Sequence, residues 1–282
     1  MYIVREDMND NLYVKESSVR STTETDVSAT EKALRILDCF SVLQPELSLA
    51  QISQMLRFPK STTLNQIRTL EHAGFLYRVK NSPNYRLGFK LLELNYTAHS
   101  TMAIVQYAMP LMEMLQSESK ENIYLTTHLN GRVLYLECLH SSKHTIAYSV
   151  AGKTLPMHCT GCGKIMLSYM PQEKVQQILS AHGMPPITPN TITDYELFMD
   201  ELKTSRERGY AIDNEEESVG GKCVAVAVRT AKGDVAGALS ISGSIMSMTE
   251  ENISRYAKLL MDASHALTPH AHLFPAIQLQ DE

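Results

Sequence analysis

The chain has 282 residues, of which 44% are hydrophobic and 20% are charged, and its formal net charge at pH 7 is −5. These values are typical of a globular protein long enough for two domains. No apolar run is long enough to cross a bilayer, so we expect no membrane partner. The five cysteines are odd in number and widely spread, which favours reduced thiols and a cytoplasmic location.

Charge is unevenly distributed along the chain. Residues 28–100 carry nine Lys and Arg against five Asp and Glu, whereas the flanking regions are both acidic. A duplex-binding surface needs local positive charge to displace counterions, whatever the net charge of the protein. The basic region is therefore the candidate nucleic-acid-binding part, and residues 1–27 are expected to form a polar tail.

Residues 28–88 have the pattern of a winged helix-turn-helix. Apolar residues recur at helical spacing over 33–40, 49–56 and 64–70, which predicts three short amphipathic helices. Ser28 or Thr30 is the expected N-cap of the first helix and Ser48 that of the second, while Pro59 suits the first turn of the third and Gly74 its end. Two strand-like runs around the turn-rich segment 80–84 then form the wing.

The third helix is the one expected to enter the DNA major groove. Asn65 is the best candidate base reader, because its amide can bond an adenine edge at two positions. Its neighbours and the basic residues around it are expected to contact DNA, mostly at phosphates that set register without reading sequence. The full predicted DNA-binding set is Arg57, Lys60, Ser61, Thr62, Asn65, Arg68, Arg78, Lys80 and Arg86.

Residues 89–104 are expected to form a linker helix that continues into a second helical stretch. Beyond it the period changes to that of strands, at 123–128, 133–138, 145–150, 210–213, 223–229 and 235–242, with helices between them and after them. Residues 105–270 are therefore predicted to form an α+β domain, and residues 271–282 a C-terminal tail.

One loop of this domain has the pattern of an anion site. The sequence LPMHCTGCGK, residues 155–164, ends a strand region and opens a helix, so the backbone N–H groups around Thr160, Gly161 and Cys162 should point at whatever lies above the helix N-terminus. A carboxylate would fit there. A turn that merely starts a helix is the alternative. The acidic run Glu215, Glu216, Glu217 in a later loop is expected to be solvated.

Several fragments, taken in order, resemble the IclR family of bacterial transcriptional regulators. They are PKSTTLNQIRTLEHAGFL and YRLG near the N-terminus, then LPMHCTGCGK, RERGYAIDNEEESVGGKCVAVAV and GALSISGS. The resemblance runs from about Ser28 to the last predicted helix. It implies a winged helix-turn-helix joined by a helix to a GAF-like mixed-sheet domain with flanking helices. It further implies a homodimer, or a tetramer of two dimers, that binds operator DNA, more often as a repressor, without catalytic activity or cofactor.

The resemblance also implies an effector site. Carried over by position, the site would use the backbone around Thr160, Gly161 and Cys162, with Met157 or Leu155 as an apolar wall. Its polar contacts would come from Asp213, Cys223, Ser240 and Ser242. Such a site suits a small oxo acid, hydroxy acid or sugar-derived acid. Asn65 stands where many relatives have Arg and Gln66 where an apolar residue is usual, so the operator sequence does not transfer. Cys162 stands where Ala or Leu is usual, and its larger thiol would narrow the site or offer chemistry.

Four other interpretations of this domain remain open. His158, Cys159 and Cys162 could form a metal site, since Cys-x-x-Cys beside a His has zinc-compatible spacing, with Cys223, His128, His140 or His144 as the fourth ligand. The same pair of cysteines could be a redox switch, because a thiol at a helix N-terminus has a lowered pKa. An enzyme would use a cysteine nucleophile with His158 as base and Asp213 as acid. The last alternative is an interaction module without a ligand.

Overall fold

The computed structural model describes residues 28–141 and 150–275 of the chain. The tail expected over 1–27, His144 and nearly all of the strand expected over 145–150 lie outside these ranges. The described residues form two compact units that divide between Thr101 and Met102.

The first unit consists of four helices and a three-stranded antiparallel sheet of strand order β1-β3-β2. Its elements are α1 (Ala29–Leu37), β1 (Leu47–Ser48), α2 (Leu49–Leu56), α3 (Lys60–His72), β2 (Leu76–Arg78), β3 (Asn84–Leu87) and α4 (Lys90–Ser100). A small core of buried side chains, with Ile36, Ile52 and Ile67 fully enclosed, joins α1, α2 and α3. This is the predicted winged helix-turn-helix, with β1 as an additional strand.

Local capping explains where these helices begin and end. Ser48 accepts a hydrogen bond from the Gln51 amide, and the Gln51 side chain bonds back to the Ser48 amide, which makes a capping box for α2. Arg57 ends α2 in the left-handed region at φ 55°, and Pro59 precedes α3. Gly74, at φ 78°, turns the chain from α3 into the wing. The predicted caps Ser28 and Ser48 are confirmed.

The linker is not the continuous helix predicted from the sequence. α4 ends at Ser100, and Met102, at ψ 96°, is extended before α5 begins at Ala103. No residue of α4 is buried, and Phe89, Leu92 and Tyr96 are 74%, 64% and 74% exposed.

The second unit is built on a six-stranded sheet of order β6-β5-β4-β9-β8-β7. Its elements are α5 (Ala103–Ser119), β4 (Asn122–Leu129), β5 (Arg132–Leu139), β6 (Thr154–Pro156), α6 (Gly161–Ser168), α7 (Gln172–His182), α8 (Tyr195–Arg208), β7 (Ala211–Asn214), β8 (Gly221–Arg229), β9 (Val235–Ser244), α9 (Glu250–Leu267) and the 3-10 helix η1 (Thr268–Leu273). All pairings among the described strands are antiparallel, so the sheet is antiparallel rather than mixed. The α+β class is confirmed.

Helices cover both faces of this sheet. Val224, Val226 and Val228 of β8 pack in a core with residues of α5 and α9, while Cys223 and Ala225 pack in a second core with α6, α7 and α8. This two-residue alternation is the period of a strand buried on both sides.

The first core extends beyond the helix that was expected to end the domain. Ala271 and Phe274 are buried in it, so the tail predicted from residue 271 is wrong at its start. A Cβ atom on Gly237 would lie 2.2 Å from the Phe274 ring, which shows how closely the ring lies on β9. In the described ranges, no helix has the length and apolarity that a bilayer crossing requires.

Candidate functional site

The first turn of α6 is the structural centre of the site. Thr160 is its N-cap: its hydroxyl accepts a hydrogen bond from the Gly163 amide at 3.1 Å and donates one to the Pro156 carbonyl at 3.1 Å. The amides of Gly161 and Cys162 are the first two of the helix and therefore have no acceptor within it. Together with the helix dipole they favour an anion at this end.

Two glycines allow α6 to approach its neighbours. A Cβ on Gly163 would meet the Met157 carbonyl oxygen at 2.2 Å, and one on Gly161 would lie 3.3 Å from the Ala225 side chain and 3.4 Å from the Cys223 sulfur. A larger residue at 163 would clash with the Met157 backbone, and one at 161 would be in tight contact with β8. The glycines of this segment thus set the depth of the site.

The facing sheet supplies the polar side chains. Ser240 pairs across strands with Tyr124, Ser242 with Cys223, and Cys223 with Asp213. Cross-strand partners point to the same face of a sheet, so these groups line one surface opposite α6. The nearby hydroxyls of Ser240 and Thr126 oppose the rise that burial causes in the pKa of the Cys162 thiol.

A cavity of about 200 Å³ lies between this surface and α6. Seven of the eight predicted effector residues line it: Thr160, Gly161, Cys162, Asp213, Cys223, Ser240 and Ser242. Met157, the eighth, is not among the lining residues, because it is buried in the core under α6. Leu155, the other predicted wall residue, lines the cavity.

Eight residues that sequence reasoning missed also line the cavity, among them Tyr124, Tyr135, Lys153 and Glu217. The rings of Tyr124 and Tyr135 meet edge to face with centroids 5.3 Å apart, and Lys153 lies 4.0 Å from the Glu217 carboxylate. The register of the β4–β5 hairpin could have indicated the two tyrosines. No sequence signal pointed to Lys153 and Glu217, because they come from separate loops.

Asp213 and Glu217 both line the cavity, and Asp213 is the buried carboxylate of the two. Its Oδ1 accepts hydrogen bonds from the amides of Glu216 at 2.8 Å and Glu217 at 3.4 Å. Burial nevertheless raises the pKa of Asp213 from 3.8 to about 7, with the nearby Glu216 charge adding to the rise and Lys164 opposing it. Near neutral pH this carboxyl is poised between its neutral and charged forms.

A buried ion-pair network lies behind Asp213. Lys164 of α6 is only 1% exposed, and its Nζ lies 2.5 Å from Glu216 Oε1 and 3.6 Å from Glu201 Oε1. Glu201 in turn pairs with Arg208 at 3.0 Å. Glu216, expected to be solvated, is therefore buried in a structural role, and it connects α6 to the end of β7, the strand that carries Asp213.

The cysteines of the site are protonated thiols. Burial raises the pKa of Cys159, Cys162 and Cys223, and His158 directs its Nε2 to the Pro185 carbonyl at 3.0 Å. The lowered thiol pKa on which the redox reading depended is thus wrong. Within residues 28–141 and 150–275, no three His, Cys, Asp or Glu side chains are placed to hold a metal ion.

The predicted DNA-binding residues lie on α3, on the turn before it and on the wing. Lys60, Ser61, Asn65 and Arg68 of α3 are exposed, and Thr62 is half-buried. Thr63, Ile67 and Leu70 face inward. Of the basic residues around the helix, Arg57 follows α2, Arg78 and Lys80 are exposed at the wing, and Arg86 pairs with Glu46 at 3.2 Å.

Comparison with known proteins identifies this architecture. Residues 29–80 match the model of the IclR helix-turn-helix domain, and residues 96–268 match that of the bacterial transcriptional regulator IclR C-terminal domain. The chain is a helix-turn-helix transcriptional regulator. It belongs to the IclR family, whose curated relatives are named as regulators and repressors rather than enzymes.

Individual relatives share most of their length with this chain. The regulator XynR of Escherichia coli is 31% identical over 86% of this chain and 96% of its own. KdgR of E. coli is 30% identical over 83% and 90%, respectively. The crystal structure of the Thermotoga maritima IclR superposes with a TM-score of 0.64 at 27% identity, covering 86% of this chain and 98% of that one.

Proposed function

We propose that this protein is a cytoplasmic, sequence-specific repressor whose DNA binding is controlled by a small organic or sugar-derived acid. The observation that carries the acid specificity is the cavity at the first turn of α6. Two helix amides, two serine hydroxyls and the ammonium of Lys153 converge on a space of about 200 Å³. The E. coli relative AllR, 26% identical, is named a repressor, which supports repression over activation.

The size and chemistry of the cavity limit which ligands can bind. Its volume lies below the usual range of about 300–1,000 Å³ for drug-sized ligands, which favours a molecule of a few carbon atoms. Helix N-terminal amides favour its carboxylate, and the hydroxyls of Ser240 and Ser242 suit oxo or hydroxy groups. The tyrosine rings and Leu155 supply an apolar wall.

The first unit would bind DNA through α3. Asn65 lies on its outward face, clear of the buried row of Thr63, Ile67 and Leu70, as a base-reading residue must. The exposed Lys60, Arg68, Arg78 and Lys80 can contact phosphates on either side. Because Arg86 already pairs with Glu46, its contribution should be the smaller one.

A homodimer accounts for the apolar surface of α4. Phe89, Leu92, Leu94 and Tyr96 are all exposed, as is Leu34 of α1, which leaves large side chains in water. Monomeric proteins rarely expose an apolar surface of this extent. A dimer formed through α4 would cover this apolar surface. It would also hold two copies of α3 at a fixed distance, which matches the two half-sites of a palindromic operator.

Binding of pyruvate, glycerate and gluconate, with glycerol and glucose as uncharged counterparts, tests the proposal. We expect at least one acid to bind by calorimetry and to weaken binding to the DNA upstream of the protein's own gene. Ser242→Leu, which fills the cavity, should reduce the acid affinity by about ten-fold or more, since buried polar contacts are each worth about 1–3 kcal/mol. Ser244→Leu, on the same strand but exposed, is the matched control.

The outcomes separate the two parts of the proposal. If none of the acids changes stability or DNA affinity, the ligand assignment is rejected and an interaction module remains. A ligand present at about 100 times its Kd should add about 2.7 kcal/mol to the free energy of unfolding. If an acid binds but no upstream DNA is preferred over random DNA, the operator assignment is rejected instead.

A further inference from the structure

A second cavity, of about 450 Å³, lies at the opposite end of β8 from the effector site. β7 pairs with β8 only as far as Ala225, so from Val226 onward none of the described strands lies beside this edge of β8. The cavity opens there, between Tyr169 at the end of α6, Gly209 at the end of α8, and α9. It shares no lining residue with the first cavity.

Apolar groups form most of its wall. Val226 and Ala227 of β8 and Met261 of α9 supply carbon and sulfur surface. The hydroxyl of Ser264, also on α9, already donates to the Ala227 carbonyl at 2.7 Å, so it is satisfied within the protein. A ligand here would therefore bury an apolar body against β8 and α9.

The rim carries two arginines that form no ion pair with any described carboxylate. The Arg229 guanidinium lies over the Tyr169 ring at 4.6 Å from its centroid, and Arg206 lies over the same ring at 5.4 Å. In the part of the chain that the structure describes, neither has a carboxylate within 4.0 Å; Arg206 donates only to the Ser168 carbonyl. Of the two, only Arg229 lines the cavity. Arginine is the side chain best suited to bind a carboxylate at two points.

We infer that this cavity is a second ligand site, separate from the effector site, for a small carboxylic acid with an apolar or aromatic body. Arg229 binds the carboxylate, and Val226, Ala227 and Met261 enclose the body. The volume falls within the range of about 300–1,000 Å³ that is usual for small-molecule sites. The site is thus larger and more apolar than the effector cavity, and it selects a different class of acid.

Benzoate is the probe, with benzamide as its uncharged counterpart and acetate as the acid without an apolar body. The full-length Ser242→Leu variant, in which the effector cavity is filled, is labelled with ¹³C at the methionine methyl groups. We expect benzoate to shift the Met261 methyl signal and to leave that of Met157, under α6, unchanged. Benzamide and acetate should each bind at least about ten-fold more weakly, because benzamide lacks the carboxylate and acetate lacks the aromatic ring.

Two arginine variants locate the charge that is recognised. Arg229→Gln should weaken benzoate binding about ten-fold or more, while Arg206→Gln, which removes the other guanidinium from the same ring, should change it less than two-fold. Equal losses for both variants, equal affinity for benzamide, or an unmoved Met261 signal would each overturn the inference. So would a Met261 signal that follows protein concentration instead of benzoate, since the cavity would then be a contact between copies.

Discussion

Lys164 and Glu216 form a fully buried ion pair, with 2.5 Å between Nζ and Oε1, at the junction of α6 and the loop that follows β7. The amide of the same Glu216 donates to Asp213, which lines the effector cavity. One residue therefore connects the helix whose first turn lines the cavity with a carboxylate on the other side of the cavity. The pair is a structural support for the site and does not itself line the cavity.

Breaking this pair on one side should be costly. In Lys164→Met the Glu216 carboxylate stays buried without a counter-charge, so we expect a loss of about 3–5 kcal/mol in the free energy of unfolding by urea. The double variant Lys164→Met/Glu216→Leu should be clearly more stable than the single one. Lys258→Met, an exposed lysine on α9, is the control and should stay within about 0.5 kcal/mol of the wild type. A double variant no more stable than Lys164→Met would contradict this account.

Stability should depend on pH through Asp213. Its pKa is raised from 3.8 to about 7 in the folded state, so between these values the folded chain retains a proton that the unfolded chain has released. The contribution of Asp213 to stability is therefore full below about pH 4 and falls as pH rises to about 7. Asp213→Asn should lose this slope and become more stable relative to wild type as pH rises.

Urea unfolding at about pH 5 and about pH 8 measures the difference. Asp234→Asn, an exposed aspartate on the β8–β9 turn, serves as the control and should run parallel to wild type. If Asp213→Asn also ran parallel to wild type, the carboxyl would not be titrating in this range.

Two residues of α3 should affect DNA binding differently. Asn65→Ala should weaken binding to the operator far more than binding to random DNA, because it removes a contact to a base edge worth about 1–3 kcal/mol. Lys60→Ala should weaken both and reduce the slope of log affinity against log salt by about one unit. Fluorescence anisotropy with both DNAs at several salt concentrations measures these effects. Equal losses on both DNAs for Asn65→Ala would exclude it from base reading.

The cysteines of the effector site should be unreactive in the folded protein. Burial raises the pKa of Cys159, Cys162 and Cys223, so the thiolate needed for alkylation or disulfide exchange is scarce at neutral pH. Iodoacetamide at pH 7.5 should modify them at least about a hundred-fold more slowly in native protein than in urea. Mass spectrometry of the labelled peptides gives these rates. Fast labelling of Cys162 in the native protein would support the hypothesis of a redox switch instead.

The sequence predicted the first unit well because local signals determine it. Ser48, Pro59 and Gly74 mark where helices begin and end within a few residues of themselves, and the apolar spacing gives their buried faces. β1 was missed because a two-residue strand exists only through its pairing with Tyr85 and Asn84, far along the chain. The end of α4 at Ser100 was missed because no proline or glycine marks it.

The effector cavity was predicted only in part, and for a related reason. Its helix turn and its serines lie in fragments that the resemblance covers, and seven of the eight predicted residues line the cavity. Lys153 and Glu217 come close only in the folded chain. The burial of Lys164 and Glu216 contradicts what charge alone suggests, because each is buried only with the other present.

All eight residues of α6, from Gly161 to Ser168, are buried. Substitutions on this helix would therefore disturb the packing of the core. We expect them to be rare, so that the wall of the cavity formed by α6 stays the same. Tyr124, Tyr135, Ser242 and Lys153 of the opposite wall are half-buried or exposed, so we expect replacements there to disturb packing less. If proteins descended from this chain bind different ligands, we therefore expect their substitutions in β4, β5 and β9 and in the loop that carries Lys153.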